Sequence, residues 1–133
     1  MSQENVELVR RLTEAYNRRD IEGLLELSDV DIEFRSIFAA IETGGVFRGQ
    51  PGVFAYFKTL DDAYERFEVV PQDIIDAGAA ALVVAQAEWR GRDSGAEGTT
   101  SVFVASWLRA GRILRVETFT DRAQGLEAVG LRE

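Results

Sequence analysis

The chain has 133 residues, of which 46% are apolar, and a net charge of −8. A chain of this length forms a single domain, here residues 1–133, and buries about two thirds of the surface of its unfolded form. The acidic balance argues against nucleic acid or an anionic membrane as partner, because both need a basic surface.

The sequence contains neither cysteine nor histidine. Disulfides and thiolate chemistry are therefore excluded, and the commonest acid–base catalyst and metal ligand is missing. Because no carboxylate cluster would replace histidine in a metal site, we predict no metal and no cofactor. The charged N-terminal segment and the lack of a long apolar run predict a cytoplasmic protein that does not enter the membrane.

Three helices are predicted in the first half of the chain. Apolar residues recur at helical spacing up to about Arg19, and Asp20 is placed to cap a second, short helix. The third helix is predicted to begin at residues 49–51 and to end near Arg66. Its predicted buried stripe consists of Val53, Phe54, Phe57, Leu60 and Tyr64.

The remaining pattern is that of β-strands. Residues 31–38 alternate between two faces, and from residue 67 onwards the chain is predicted to be all strand until about residue 121. Pro71 is typical of an edge strand, and Ala110-Gly111 marks a tight turn between the last two strands. Together these elements predict an α+β fold, in which a curved antiparallel sheet wraps round the helices.

The last two strands are apolar on both faces, although only one face can meet the helices. Val102 and Val104 point one way, whereas Phe103 and Trp107 point the other. The second apolar face predicts a homodimer through the sheet, or else a face that is merely half-buried. Asp121 and Gln124 form a capping-box pattern for a short C-terminal helix.

At this point the sequence resembles a known superfamily, the nuclear transport factor 2-like fold, and within it the SnoaL-like polyketide cyclase and ketosteroid isomerase-like branches. The segments that carry the resemblance are residues 15–27, 31–36, 47–57 and 111–131. The resemblance implies a cone, in which a strongly curved sheet wraps round its helices and leaves one deep apolar pocket. Because this superfamily holds both enzymes and binding pockets, the fold alone does not decide the function.

The resemblance, combined with the strand alternation, places aromatic, small and hydroxyl side chains in the pocket. The predicted pocket residues are Tyr16, Phe34, Ser36, Phe38, Phe54, Phe57, Trp89, Ser101, Phe103, Trp107 and Thr118. Such a wall suits a flat, mostly apolar small molecule as partner. The alternative is that the same side chains fill the cone as an ordinary core.

The catalytic groups of the resembling enzymes do not carry over to this sequence. The base, the aspartate and the tyrosine of ketosteroid isomerase fall on Ser36, Phe103 and Leu12. The last-strand aspartate of limonene epoxide hydrolase-like enzymes falls on Thr118. The aspartate acid–base of SnoaL-like cyclases has its nearest counterpart in Asp121, which is also placed to cap the final helix.

Three catalytic candidates remain. Tyr16 would point its hydroxyl into the pocket, or would be a buried structural tyrosine. Glu42 would act as a base if its loop folds inward, and would otherwise be a solvated loop residue. Asp121 would be the acid–base of a cyclase, or a helix cap.

The sequence therefore supports three functional hypotheses. The first is a pocket that binds a small apolar molecule without efficient chemistry. The second is an isomerase or cyclase that acts on a carbonyl-containing polycyclic substrate. The third is an interaction module that works through the sheet face.

Overall fold

A computed structural model describes residues 2–36 and 45–132. Phe38 and Glu42, for which the sequence predicts a role, lie in residues 37–44, outside the described residues. The elements in chain order are α1 (Ser2–Arg18), α2 (Ile21–Glu26), β1 (Ser28–Arg35), β2 (Val46–Arg48), α3 (Gly49–Ala63), β3 (Tyr64–Asp76), β4 (Ala80–Gly91), β5 (Glu97–Arg109), β6 (Arg112–Phe119) and α4 (Arg122–Ala128).

The six strands form one curved, unclosed sheet in the order β2-β1-β6-β5-β4-β3. Its neighbours pair antiparallel except β1 and β6, which run parallel. Helices α1 to α3 cover the inner face of the sheet, and their apolar side chains form one core with it. The predicted α+β fold is confirmed, and β3, which carries Pro71, is an edge strand as predicted.

Local capping explains the sharp turn between the first two helices. Helix α1 is closed by backbone bonds from Arg19 N–H to the Tyr16 carbonyl (3.1 Å) and from Asp20 N–H to the Ala15 carbonyl (2.9 Å). The Asp20 carboxylate then accepts a hydrogen bond from Gly23 N–H at 3.0 Å and caps α2, as predicted.

One predicted boundary needs correction, and one predicted turn is confirmed. Helix α3 ends at Ala63 rather than near Arg66, because the chain turns directly into β3 at Tyr64. The predicted Ala110-Gly111 turn is present, and both residues have positive φ (52° and 75°). This pair of positive φ angles is the backbone of a type I′ hairpin turn, which matches the twist of the two strands.

The inward face predicted for β5 is wrong. Val83 of β4 pairs with Val104, and Ala85 pairs with Val102. Because directly paired residues share a face of the sheet, the even-numbered side chains of β5 point to the helices. Phe103, predicted to face the pocket, therefore lies on the outer face, as do Ser101 and Trp107.

Helix α4 covers part of this outer face. Leu126 and Val129 pack with Leu82, Phe103 and Ala105 in a second, smaller core. Trp107, Phe119 and Val84 are partly buried beside it. The second apolar face, which predicted a dimer, is thus explained in part by a helix of the same chain. In the described part of the chain, no helix is long and apolar enough to span a membrane.

Candidate functional site

A cavity lies between α1, α3 and the inner face of the sheet. Its walls are aromatic and aliphatic, and hydroxyl groups project from three different elements. The lining residues are Leu12, Thr13, Tyr16, Phe34, Arg35, Ser36, Tyr56, Phe67, Val69, Val83, Ala87, Val102, Val104, Val116 and Thr118. Such a wall excludes charged molecules more strongly than neutral ones, because burying an unpaired charge is costly.

The free volume between the described lining residues is about 50 Å³. One enclosed water molecule needs roughly 10–15 Å³ on this measure, so the cavity has room for a few waters or one small ring. Pockets for drug-sized ligands are far larger, at about 300–1,000 Å³. The size of the cavity therefore favours a small ligand over a polycyclic one.

Two tyrosines form the polar centre of this cavity. The Tyr16 hydroxyl, from α1, lies 2.5 Å from the Tyr56 hydroxyl, from α3, so one donates a hydrogen bond to the other. The Ser36 side chain, at the end of β1, also hydrogen bonds to Tyr56. The rings of Phe34 and Phe57 pack against Tyr56 at centroid distances of 5.0 Å and 5.1 Å and fix its orientation.

Burial controls the ionisation of both tyrosines. Tyr16 is partly exposed as a whole residue, but its hydroxyl is enclosed by protein. Burial, followed by the proximity of Tyr56, raises the pKa of Tyr16 well above its ordinary value. Burial likewise raises the pKa of Tyr56 to about 12, although the hydrogen bonds from Tyr16 and Ser36 oppose this shift. Both phenols are therefore neutral hydrogen-bond donors at physiological pH.

A guanidinium group lies behind the tyrosines. The Arg19 Cζ atom is 5.6 Å from the ring centroid of Tyr16 and 5.5 Å from that of Phe57. Its Nε atom donates to Asp61 Oδ1 at 3.0 Å. This ion pair joins the end of α1 to α3 at the back of the cavity.

Four of the predicted pocket residues lie in the cavity lining, namely Tyr16, Phe34, Ser36 and Thr118. A fifth, Phe57, is buried directly behind the lining, with its ring 5.2 Å from that of Tyr16. Their role in ligand binding stays a prediction.

The other predicted pocket residues that the structure describes lie elsewhere. Phe54 is 46% exposed on α3. Trp89 packs at the far end of the sheet, where its Nε1 donates to Thr100 Oγ1 at 3.0 Å. Ser101 is exposed and accepts from Gln86 Nε2 at 3.1 Å. Phe103 packs under α4, and Trp107 lies on the outer face with the Arg115 guanidinium 4.5 Å from its ring centroid.

The catalytic candidates are separated in space. Tyr16 is in the cavity, whereas Asp121 is exposed at the start of α4. Asp121 occupies the N-cap position, but its side chain makes no capping hydrogen bond, so the predicted capping box is wrong in this detail. Glu42 falls outside the described residues.

Tyr56 is a buried residue of α3 that was not among the predicted pocket residues, although its spacing along the helix indicates burial. Val53, Tyr56, Phe57 and Leu60 are all buried and follow the spacing i, i+3, i+4, i+7. Phe54 does not fit this spacing, and it was assigned to the stripe because of its size and apolar character. The helical period therefore predicts Tyr56, and not Phe54, in the buried stripe of α3.

Among residues 2–36 and 45–132, no three His, Cys, Asp or Glu side chains come together as a metal site would require. The hydroxyl groups of the cavity suit a neutral ligand oxygen better than a divalent cation, which needs carboxylate or imidazole ligands.

The sequence matches the family model of the SnoaL-like domain over residues 9–116. The chain therefore belongs to the SnoaL-like family, within the nuclear transport factor 2-like superfamily. A comparison with curated proteins finds no match.

Solved structures with the same fold cover nearly the whole chain. A protein of unknown function from Burkholderia pseudomallei K96243 is 20% identical, with a TM-score of 0.78 over 96% of this chain and 98% of its own. TerC, co-crystallised with polyporic acid, is 21% identical, with a TM-score of 0.78 over 95% and 98%. A Mycobacterium tuberculosis protein in complex with estradiol-17β-hemisuccinate is 17% identical, with a TM-score of 0.72 over 90% and 95%. At these identities the likeness establishes the fold alone.

Proposed function

We propose that this protein binds a small, mostly apolar molecule that carries one oxygen, and that the hydroxyls of Tyr16 and Tyr56 hold this oxygen. The observation that carries the proposal is the buried hydroxyl pair, 2.5 Å apart, in a mostly apolar cavity whose other polar lining residues are Thr13, Arg35, Ser36 and Thr118. The hydroxyls of Tyr16, Tyr56 and Ser36 have three O–H groups and make two hydrogen bonds among themselves, so one O–H remains to donate to a ligand. A ligand carbonyl would accept that hydrogen bond in surroundings where water competes poorly.

Two further facts support this reading. Structures of similar fold contain polyporic acid or estradiol-17β-hemisuccinate, which are both largely apolar molecules with oxygen atoms. The cavity of this chain, at about 50 Å³, favours a smaller compound of about one ring.

Binding ranks ahead of catalysis for a chemical reason. None of the described lining residues is a carboxylate that would remove a proton from carbon. The alternative, an isomerase or cyclase acting on a carbonyl compound, needs a base from residues 37–44, and Glu42 is the candidate. Substitution of Glu42 by glutamine would then abolish turnover while leaving the affinity for the ligand unchanged.

The experiment compares cyclohexanone with methylenecyclohexane, which has nearly the same shape but lacks the oxygen. Titrations followed by NMR of the lining residues should show a lower Kd for the ketone. Tyr56→Phe should raise the Kd of the ketone by about five- to tenfold, since a hydrogen bond of about 1 kcal/mol is lost, and should leave the hydrocarbon unaffected. Equal Kd values for both compounds in the unmodified protein would overturn the proposal.

We also propose that two copies associate through the outer face of the sheet. A row of side chains, Arg48, Glu33, Arg115 and Trp107, crosses β2, β1, β6 and β5 in direct pairing. Glu33 bonds to both Arg35 (2.6 Å) and Arg48 (3.0 Å), and these hydrogen bonds lower its pKa. In a two-fold dimer the same row of each copy faces the other in the opposite direction. An arginine of one copy can then meet the glutamate of the other, beside the half-buried tryptophans. Nucleic acid and membrane have no part in this proposal, and the cytoplasmic location stays a prediction.

A further inference from the structure

The backbone of Arg19 adopts a conformation that disfavours arginine. Its φ angle is +58°, in the left-handed region, at the position just beyond α1 where glycine is most often found. A non-glycine residue pays a steric cost in this region, and such residues persist where the surrounding structure holds them. The side chain of Arg19 is therefore the place to look for the compensating interactions.

Three hydrogen bonds fix the Arg19 guanidinium. Nε donates to Asp61 Oδ1 at 3.0 Å, one terminal nitrogen donates to the Tyr16 carbonyl at 3.0 Å, and the other donates to the Phe67 carbonyl at 3.2 Å. These acceptors belong to α3, α1 and β3. The planar fork is thus held in one orientation, 5.6 Å from the centroid of the Tyr16 ring.

The ion pair is unequally shielded from water. The Arg19 side chain is 26% exposed, whereas that of Asp61 is 49% exposed. Solvent therefore screens the carboxylate more than the guanidinium, and Arg19 lowers the pKa of Tyr16 by more than Asp61 raises it, so the pair acts on Tyr16 as a net positive charge. A positive potential near a phenol strengthens its O–H as a donor, and Arg19 opposes the effect of burial on the pKa of both Tyr16 and Tyr56.

We propose that Arg19 is a positioning residue that acts through Tyr16, orienting and polarising the hydroxyl pair towards an electron-rich oxygen on the ligand. This inference rests on the proposed function of the same cavity. It narrows the ligand class to ketones and other carbonyl compounds, in which the oxygen carries partial negative charge. Alcohols and ethers, whose oxygens are weaker acceptors, would gain less from Arg19.

The test uses the ratio of the Kd for methylenecyclohexane to the Kd for cyclohexanone. Arg19→Met should lower this ratio by about two- to fivefold, as expected for a partly exposed charge. Arg19→Lys, which keeps the charge but lacks the fork, should recover part of the loss. Arg18→Met is the control, because it removes the same charge from a more exposed side chain. The Arg18 side chain is 64% exposed, and its ion pair with Asp20 is long, at 3.9 Å.

A purely structural role predicts a different result. If Arg19 only ties α1 to α3 and β3, Arg19→Met will weaken both compounds equally, and the unchanged ratio overturns the inference. Should Arg19→Met fail to fold, Asp61→Asn tests the same charge, because Arg19 keeps its bonds to the Tyr16 and Phe67 carbonyls. The ratio should then rise, and an unchanged or lower ratio overturns the inference.

The two proposals fail in different ways. If the Kd values of methylenecyclohexane and cyclohexanone are equal in the unmodified protein, the proposed function is wrong. The proposed role of Arg19 is then wrong as well. If the unmodified protein prefers the ketone and Arg19→Met preserves that preference, only the role of Arg19 is wrong.

Discussion

The hydroxyls of Tyr16 and Tyr56 combine two properties that seldom occur together at a protein surface. They are fixed in position by packing against the rings of Phe34, Phe47 and Phe57, and they are withdrawn from bulk water. A ligand oxygen that enters the cavity meets donors that need little reorganisation. Affinity gained in this way depends on orientation rather than on buried area.

The buried tyrosines predict that stability falls at alkaline pH. The pKa of Tyr56 is about 12 in the folded protein and about 10 in an unfolded chain, so only the unfolded chain releases the proton between these values. The contribution to stability is complete below pH 10 and is lost as pH rises towards 12, by roughly 2–3 kcal/mol. Urea unfolding between pH 9 and 12 measures this slope.

Tyr56→Phe should reduce the alkaline slope, because phenylalanine has no proton to release, and the slope that remains comes mainly from Tyr16, whose pKa burial also raises. Tyr64→Phe is the matched control, since Tyr64 is less buried and burial raises its pKa to a smaller extent. If Tyr64→Phe flattened the slope as much as Tyr56→Phe, the explanation from burial would be wrong.

At the residue scale, prediction succeeded where a residue type meets a single local demand. Asp20 caps α2 because a carboxylate at that position meets the free N–H of Gly23. The burial of Tyr56 could be read from the helical period of α3, but its hydrogen bond to Tyr16, forty residues away along the chain, could not. A pair of hydroxyls that meet in space leaves no local pattern in either helix.

Among the elements, α4 is the one whose role the sequence concealed. Its seven residues close part of the outer face, and they end in a turn in which Leu131 N–H reaches the Leu126 carbonyl at 2.8 Å. Helix α4 can approach the sheet closely because Gly125 has no side chain. A Cβ atom there would lie 2.9 Å from Phe103 Cβ and 3.3 Å from Leu82 Cδ1.

We expect Gly125→Val to push α4 away from the sheet. Overpacking of this kind costs about 1–3 kcal/mol, and guanidinium unfolding should show a loss of about 2 kcal/mol. Hydrogen exchange should quicken in α4 before it quickens in β4. Gln124→Val adds the same side chain at an exposed position of the same helix, and equal losses in both variants would refute the packing argument.

The faces of β5 show why strand alternation alone is insufficient. Both sets of residues are apolar, so the pattern did not distinguish inside from outside. The decision comes from the register with β4, where Val83 meets Val104, and from α4, which needs Phe103 on the outside. Register and the docking of a distant helix are tertiary facts.

For the whole molecule, the order of helices and strands was predictable because each element has its own periodicity and breakers. The parallel contact between β1 and β6 was not, since pairing between distant strands leaves no mark on either strand. The cavity volume was equally hidden, because it depends on how tightly Phe34, Tyr56 and Phe67 fill the cone.

The proposed dimer predicts a solution mass of twice 14.8 kDa by light scattering. Trp107→Arg places a second cation beside Arg115 in the proposed contact row and should yield the monomer. Gln3→Arg changes the net charge equally at an exposed position on α1, away from the sheet, and should leave the dimer intact. A mass of 14.8 kDa for the unmodified protein would contradict the dimer.

The position of β1 in the sheet has a kinetic consequence. It pairs with β2, its neighbour in sequence, and with β6, which comes last among the strands. During synthesis, β1 therefore emerges long before one of its two partners exists, and its edge stays open until β6 has been made. Contacts between such distant segments slow folding to about milliseconds to seconds, and throughout that time the open edge of β1 can pair with a strand of another chain.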